Sequence, residues 1–292
     1  MTDQKYTINF PLVHRGKVRD VYDLGQSYLI VASDRISAFD HVLATVIPGK
    51  GKILHKLSMF WFDFVQGIIP NHIITGDFGS FPTGLKQHEY LRDRSMIVKK
   101  ANRIGIECIV RGYLAGSGWK EYQKSGTICG IRLPNGLAES SKLSVPIFTP
   151  SSKEDSNKHD ENISFDETAE RIGKGTAEQL NTISIELYKK VSQYAISQGI
   201  ILADTKLEFG FYDNQLILID EIFTPDSSRF WEVRKYVEGK AQDSLDKQYV
   251  RDYLEFIKWD KSSPAPELPK DIVEKTMKKY INVYEKLTGK KF

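Results

Sequence analysis

The chain has 292 residues, 40% of them hydrophobic and 27% charged, enough to bury a substantial core in one large domain or in two smaller subdomains around a cleft. A formal net charge of +3 is too small for this length to mark a nucleic-acid binder, yet it suits anionic ligands. Cys108 and Cys129 lack the spacing of a zinc or redox pair and read as free thiols. The start MTDQKYTINF has no export signal and no apolar run reaches membrane-spanning length, so a cytoplasmic protein is expected.

In chain order, His14 to Gly25 followed by the apolar Tyr28 to Ala32 predicts an antiparallel pair with a tight turn at Gly25-Gln26. Gly16 is expected on the leading strand, where a missing side chain lets backbone N–H groups approach a phosphate, with Lys17 and Arg19 on one face. The same residues also describe an exposed edge strand charged against edge pairing. Ser33 to Asp40 is a polar cluster leaving a strand, and Ser37 and Asp40 serve there either a substrate or a turn. Pro48 to Lys52 reads as a solvated loop, because its glycine-lysine run lacks the Walker A spacing. It precedes a helix with apolar spacing at Leu54, Leu57, Phe60, Trp61 and Phe64. Met96-Ile97-Val98 is a short strand ending at Lys99.

Glu107 to Val110 is another β-rich run, with Arg111 at its end before Gly112 to Trp119. Small residues there permit close backbone approach, while Arg111 and Ser117 offer a charged donor and a hydroxyl to an anion. A turn into a helix near Trp119 explains the glycines but not the arginine. Pro146 to Phe165 is polar enough for a surface loop. Ser164 and Glu167 form a capping box, and a longer helix runs from Thr176 to Ser197 with Gly199 as its C′ residue.

Two apolar runs, Ile200 to Phe211 and Leu216 to Ile219, are parted by Tyr212-Asp213-Asn214-Gln215, a hairpin signal. Alternation puts Lys206 and Glu208 on one face and Leu207 and Phe209 on the other. A two-residue loop sets Glu208 opposite Ile219. A three-residue or bulged loop sets it opposite Asp220, and only that register is expected to make a two-carboxylate site. Such a pair of hard oxygen ligands suits Mg²⁺ bridging protein and nucleotide phosphates, whereas an ordinary solvated hairpin would carry the same charges. Thr224 to Arg229 is a hydroxyl-rich turn ending in a guanidinium matched to phosphate or carboxylate. Asp246 to Ile257 is helical and carries Lys247 and Arg251. After a proline-rich connector, Ile272 to Leu287 marks an amphipathic terminal helix.

The segments GKVRDVYDL, VRGYLAGSGW, ADTKLEFGF and IDEIFTPDSSRFW resemble the signature segments of the SAICAR synthetase family, in the family's order. The resemblance implies an α+β fold of two subdomains with ATP-grasp-like architecture: residues 1–100 as a β-rich nucleotide-covering part and 101–292 as a larger α+β part. It implies an ATP-dependent ligase that condenses carboxyaminoimidazole ribotide (CAIR) with L-aspartate through an acyl phosphate, giving SAICAR, ADP and phosphate in purine synthesis. Gly16, Lys17, Arg19, Lys99, Lys206, Glu208 and Asp220 are then expected at ATP, with Lys206, Glu208 and Asp220 catalytic and Glu208 and Asp220 holding Mg²⁺. Ser37, Arg111, Ser117, Asp204, Arg229, Lys247 and Arg251 are expected at CAIR. Met96 to Val98 would be the hinge offering backbone to adenine, and His159 and Asp160 would help close over substrate. The partners implied are small molecules only, with no nucleic acid or membrane, in a monomer or small homo-oligomer. A kinase of similar build would need a positioned base, and no HRD-like loop is present.

Overall fold

A computed structural model describes residues 8–152 and 161–292; His159 and Asp160 lie outside them. Alternating burial along Arg19–Asp23 (β2) and apolar packing of Ser27–Ala32 (β3) build an antiparallel sheet. Leu12–Arg15 (β1) borders it, and Ile73–Thr75 (β4) and Ser95–Lys99 (β5) complete the order β1-β2-β3-β5-β4. Gly16 to Val18 is the turn between β1 and β2, closed by the Gly16 N–H on the Arg19 carbonyl at 2.7 Å. Lys17 is therefore not on a strand face with Arg19: it occupies the turn, while Arg19 opens β2. Strand β5 pairs with β3 on one side and β4 on the other, so ladders already engage the backbone of Met96 to Val98.

Helix α1, Lys50–Phe64, begins four residues before Leu54, the first residue of the apolar stripe, and overturns the solvated-loop reading of Pro48 to Lys52. Lys50 is fully buried, with its Nζ 2.6 Å from Asp226 Oδ2, while Tyr280 donates to Asp226 Oδ1 at 2.7 Å. A Cβ on Gly51 would lie 2.3 Å from the Ala32 carbonyl oxygen, so the glycine is there to let α1 touch β3. Asp34 accepts from the N–H groups of Gly49 and Gly51, which fixes the Ser33 to Asp40 loop at the start of α1. Lys50→Met should lower stability by about 3 kcal/mol, because it strands a buried carboxylate. Urea unfolding checks this, and a loss below about 1 kcal/mol, the scale of a surface ion pair, would show the pair to be incidental.

The second sheet holds the longer strands Ile106–Tyr113 (β6), Lys142–Phe148 (β7), Ile200–Tyr212 (β8), Gln215–Ile219 (β9) and Ser228–Glu232 (β10). Strand β8 is its spine and pairs antiparallel with β6, β9 and β10. The longer helices after α1 are Gly116–Ser125 (α2), Phe165–Ile172 (α3), Lys174–Ser197 (α4), Gln248–Phe256 (α5) and Lys270–Thr288 (α6). Ser164 and Glu167 form the expected capping box, and Gly199, at φ 76°, ends α4. Leu207 and Phe209 of β8 are fully buried in one core with Trp61 of α1, Leu187 and Val191 of α4, and Tyr280 of α6. Burying side chains of this size stabilises by about 2–3 kcal/mol each. The same alternation leaves the opposite face of β8 to Asp204, Lys206 and Glu208.

Candidate active site

The hairpin turn is the two-residue Asp213-Asn214, both with positive φ, as a type I′ turn requires. That sets Glu208 opposite Ile219, not Asp220, so the register expected to be needed for a two-carboxylate site is absent. The carboxylates nevertheless converge by another route. Asp220 takes φ 66°, which turns the chain as it leaves β9, and Asp220 and Glu221 both meet the guanidinium of Arg19. Arg19 Nη2 is 2.6 Å from Asp220 Oδ2, and its Nη1 contacts Glu221. On the other side of β8, the pairing of Leu207 with Cys108 puts Glu107 beside Glu208. Lys206 bridges these like charges, with Nζ 2.7 Å from Glu208 and 2.9 Å from Glu107.

Four carboxylates thus share two bonded cations in a largely buried space. Burial works against the charge of Lys206, but Glu208, Glu107 and Asp220 together outweigh it and raise the pKa of the amine. Arg19 is held charged in the same way by Asp220, Glu221 and Glu208. Asp220 is pushed up to about 6, first by burial and then by the contest between Arg19, which lowers it, and Glu208, which raises it. A cluster this rich in negative charge suits a hard divalent cation. Among the described residues no group of three or more His, Cys, Asp or Glu could hold a metal ion by itself. A metal at Glu208 and Asp220 would therefore complete its shell with phosphate or water oxygens, as Mg²⁺ commonly does.

Two positions along the same face of β8, Asp204 stands between two arginines on neighbouring strands, Arg111 of β6 and Arg229 of β10. Asp204 Oδ2 accepts from Arg229 and lies 3.5 Å from Arg111 Nη1. Arg111 is almost fully buried, donates to Thr149 and Ser117 at 3.0 Å each, and has its pKa lowered, mainly by burial. A Cβ on Gly116 would lie 2.6 Å from Arg229 Nη2, and one on Gly118 would lie 3.1 Å from Arg111 Cδ. Those glycines make room for guanidiniums at the start of α2, whose first N–H groups have no side-chain cap. Arg251 joins from α5. Its pKa is lowered by burial and then by Arg229, and its Nε is buried without a hydrogen-bond partner. Three guanidiniums gather near a helix N-terminus, an arrangement whose chemistry suits an anion.

Lys247 caps the start of α5 and feels Arg251, Asp226, Glu221 and Lys206, which puts it between the arginine pocket and the carboxylates. Ser37 lies on a two-residue strand whose neighbours Ile36 and Ala38 pack with Val250 and Leu254 of α5. Lys17 pairs with Asp40. Lys99 reaches the Asn71 carbonyl and the Tyr212 ring, so it is bonded to neither cluster. Sequence reasoning missed Glu107, Glu221 and Asp246. Alternation puts Glu107 on one strand face with Ile109 and Arg111, but its place beside Glu208 comes from the pairing of two distant strands. Asp246 accepts from the N–H groups of Phe230 and Gln248, tying β10 to α5 and so Arg229 to Arg251.

A family described as SAICAR synthetase matches residues 12–286. The phosphoribosylaminoimidazole-succinocarboxamide synthase of Thermodesulfovibrio yellowstonii is 57% identical over 279 residues, 95% of each chain. That of Geobacter sulfurreducens is 54% identical over 280 residues, 96% of this chain and 95% of the other. The solved SAICAR synthase of Saccharomyces cerevisiae, complexed with SAICAR, superposes with a TM-score of 0.90 at 45% identity over 99% of both chains. A SAICAR synthetase in complex with ADP superposes with a TM-score of 0.69 at 25% identity, over 96% of this chain and 98% of that one. Fold, site and kinship define an ATP-dependent ligase that joins a carboxylate to an amine. The chain belongs to the SAICAR synthetase family, which condenses CAIR with L-aspartate in purine biosynthesis.

Proposed function

We propose that the two clusters on β8 divide this reaction between them. Arg111, Ser117, Arg229 and Arg251 take the phosphate end of CAIR, with Lys247 and Ser37 beside them, while Asp204 orients the two nearest guanidiniums. Glu208 and Asp220 hold Mg²⁺, which when bound neutralises charge on the nucleotide, and Gly16, Lys17, Arg19 and Lys206 lie along its phosphates. The nucleotide sits between a first part, residues 1–100, and a second, 101–292. The observation that carries this reading is the common face: Asp204 and Glu208 are four residues apart, about 13 Å along a strand. That separation lets one ribotide span from its phosphate in the arginine pocket to its carboxylate at the carboxylate cluster. A carboxylate resists amine attack because oxide is its leaving group. Transfer of the γ-phosphoryl first gives an acyl phosphate, and the aspartate amine then displaces phosphate. Such catalysis is positioning plus charge neutralisation. Among the described residues no helix is long and apolar enough to cross a membrane.

Incubation with Mg-ATP, CAIR and aspartate tests the reading. ADP release should require all three, and release indifferent to aspartate would favour a kinase. Lys247 adds a pH signature. Burial, followed by Arg251, lowers its pKa to about 8, so the amine is charged below that pH and neutral above it. Anion binding therefore weakens as pH rises, and kcat/KM for CAIR should fall about tenfold per unit above pH 8. Lys247→Arg, which stays charged, should flatten that limb, and an unchanged limb would remove Lys247 from the CAIR site.

A further inference from the structure

Arg19 comes from the first sheet and reaches across to the second. Its Nη2 donates to Asp220, and its buried Nη1 makes an ion-pair contact with Glu221 without hydrogen-bond geometry. Consecutive residues of an extended strand face opposite ways, and only the left-handed φ of Asp220 aims this pair at one guanidinium. Glu221 is buried, and its Oε2 accepts from Thr224 Oγ1 at 2.8 Å, which fixes its orientation. The result is a built dock. Arg19 also sits in the field of Glu208, so its charge occupies the carboxylate cluster. A guanidinium and a dication a few ångströms apart in a buried site repel each other strongly. Arg19 therefore cannot keep this dock and share Asp220 with a metal at full strength.

We propose that Arg19 rests on Asp220 and Glu221 in the nucleotide-free protein, and trades that dock for the nucleotide's phosphates as the metal nucleotide binds. The inference rests on the Glu208–Asp220 metal reading and gives it an order. Metal alone competes with Arg19 and binds weakly. Nucleotide gives Arg19 a second partner and so tightens the metal, and the coupling is reciprocal.

The test separates the two signs. Mn²⁺ is titrated into nucleotide-free protein and the free ion followed by electron paramagnetic resonance, while Mg-ADP binding is measured by calorimetry. Arg19→Met should bind Mn²⁺ alone at least about tenfold more tightly than wild type and Mg-ADP at least about tenfold more weakly. Arg19→Lys, which keeps the charge but loses the two-point fit, should fall between them and carries the test if the methionine variant does not fold. Unchanged or weaker Mn²⁺ binding in these variants, with binding abolished in Asp220→Asn, would overturn the exchange and leave the metal site standing. Mn²⁺ binding that survives Asp220→Asn would overturn the metal reading itself.

Discussion

Glu208→Gln is expected to lower turnover by about a thousandfold, the scale of removing one preorganised charge contact from a transition state, while the protein stays folded. The substitution keeps volume and leaves an oxygen for Lys206, which retains Glu107 at 2.9 Å. It also removes one of the like charges that crowd this end of β8. No buried charge is stranded, so the melting temperature should move by no more than about 3 °C, equivalent to roughly 1 kcal/mol. Steady-state ADP release with all substrates present, beside a thermal melt, makes the comparison. Near-normal turnover would remove Glu208 from the metal site, and a collapsed melt would make its role structural instead.

Arg229→Met should act at the other end of the strand and in a different kinetic constant. Two charge-assisted hydrogen bonds to a phosphate contribute about 1.5–3 kcal/mol each, so KM for CAIR should rise by at least about a hundredfold with kcat less affected. Arg229 also balances Asp204 and Asp246, so the variant should lose about 3 kcal/mol of stability as well. Gly116→Ala offers a check that leaves every charge in place. Its new Cβ would sit 2.6 Å from Arg229 Nη2, at a φ of 57° that disfavours a side chain. It should raise KM in the same direction, by displacing the guanidinium. An unchanged KM in both variants would mean that the ribotide phosphate binds elsewhere.

The hairpin was legible because period-two alternation and an Asp-Asn turn both act locally. Lys206, Glu208, Leu207 and Phe209 fall on the faces that the pattern assigns them, whereas the meeting of Arg111, Ser117 and Arg229 was implied only by the family resemblance. What was not legible depends on the third dimension. Alternation predicts that Asp220 points away from Glu208, and a single left-handed residue reverses that conclusion. Lys50 looked solvated because a lysine beside glycines usually is, whereas its partner Asp226 is 176 residues away in sequence. Glu107 was passed over because its neighbour Glu208 lies on a strand about a hundred residues later, and cross-strand pairing is set by the whole sheet rather than by either segment. The turn at Gly16 was mistaken for strand because a two-strand hairpin and one long strand share the same β-favouring composition.

A crystal structure with Mn²⁺, a non-hydrolysable ATP analogue and CAIR tests the central claim most directly, because the anomalous signal of manganese locates the metal independently of the protein. The account predicts a manganese peak within about 2.5 Å of oxygens from both Glu208 and Asp220, with the CAIR phosphate against Arg111, Arg229 and Arg251 at the far end of the same strand face. Manganese away from both carboxylates, or a ribotide phosphate clear of those three guanidiniums, would contradict it.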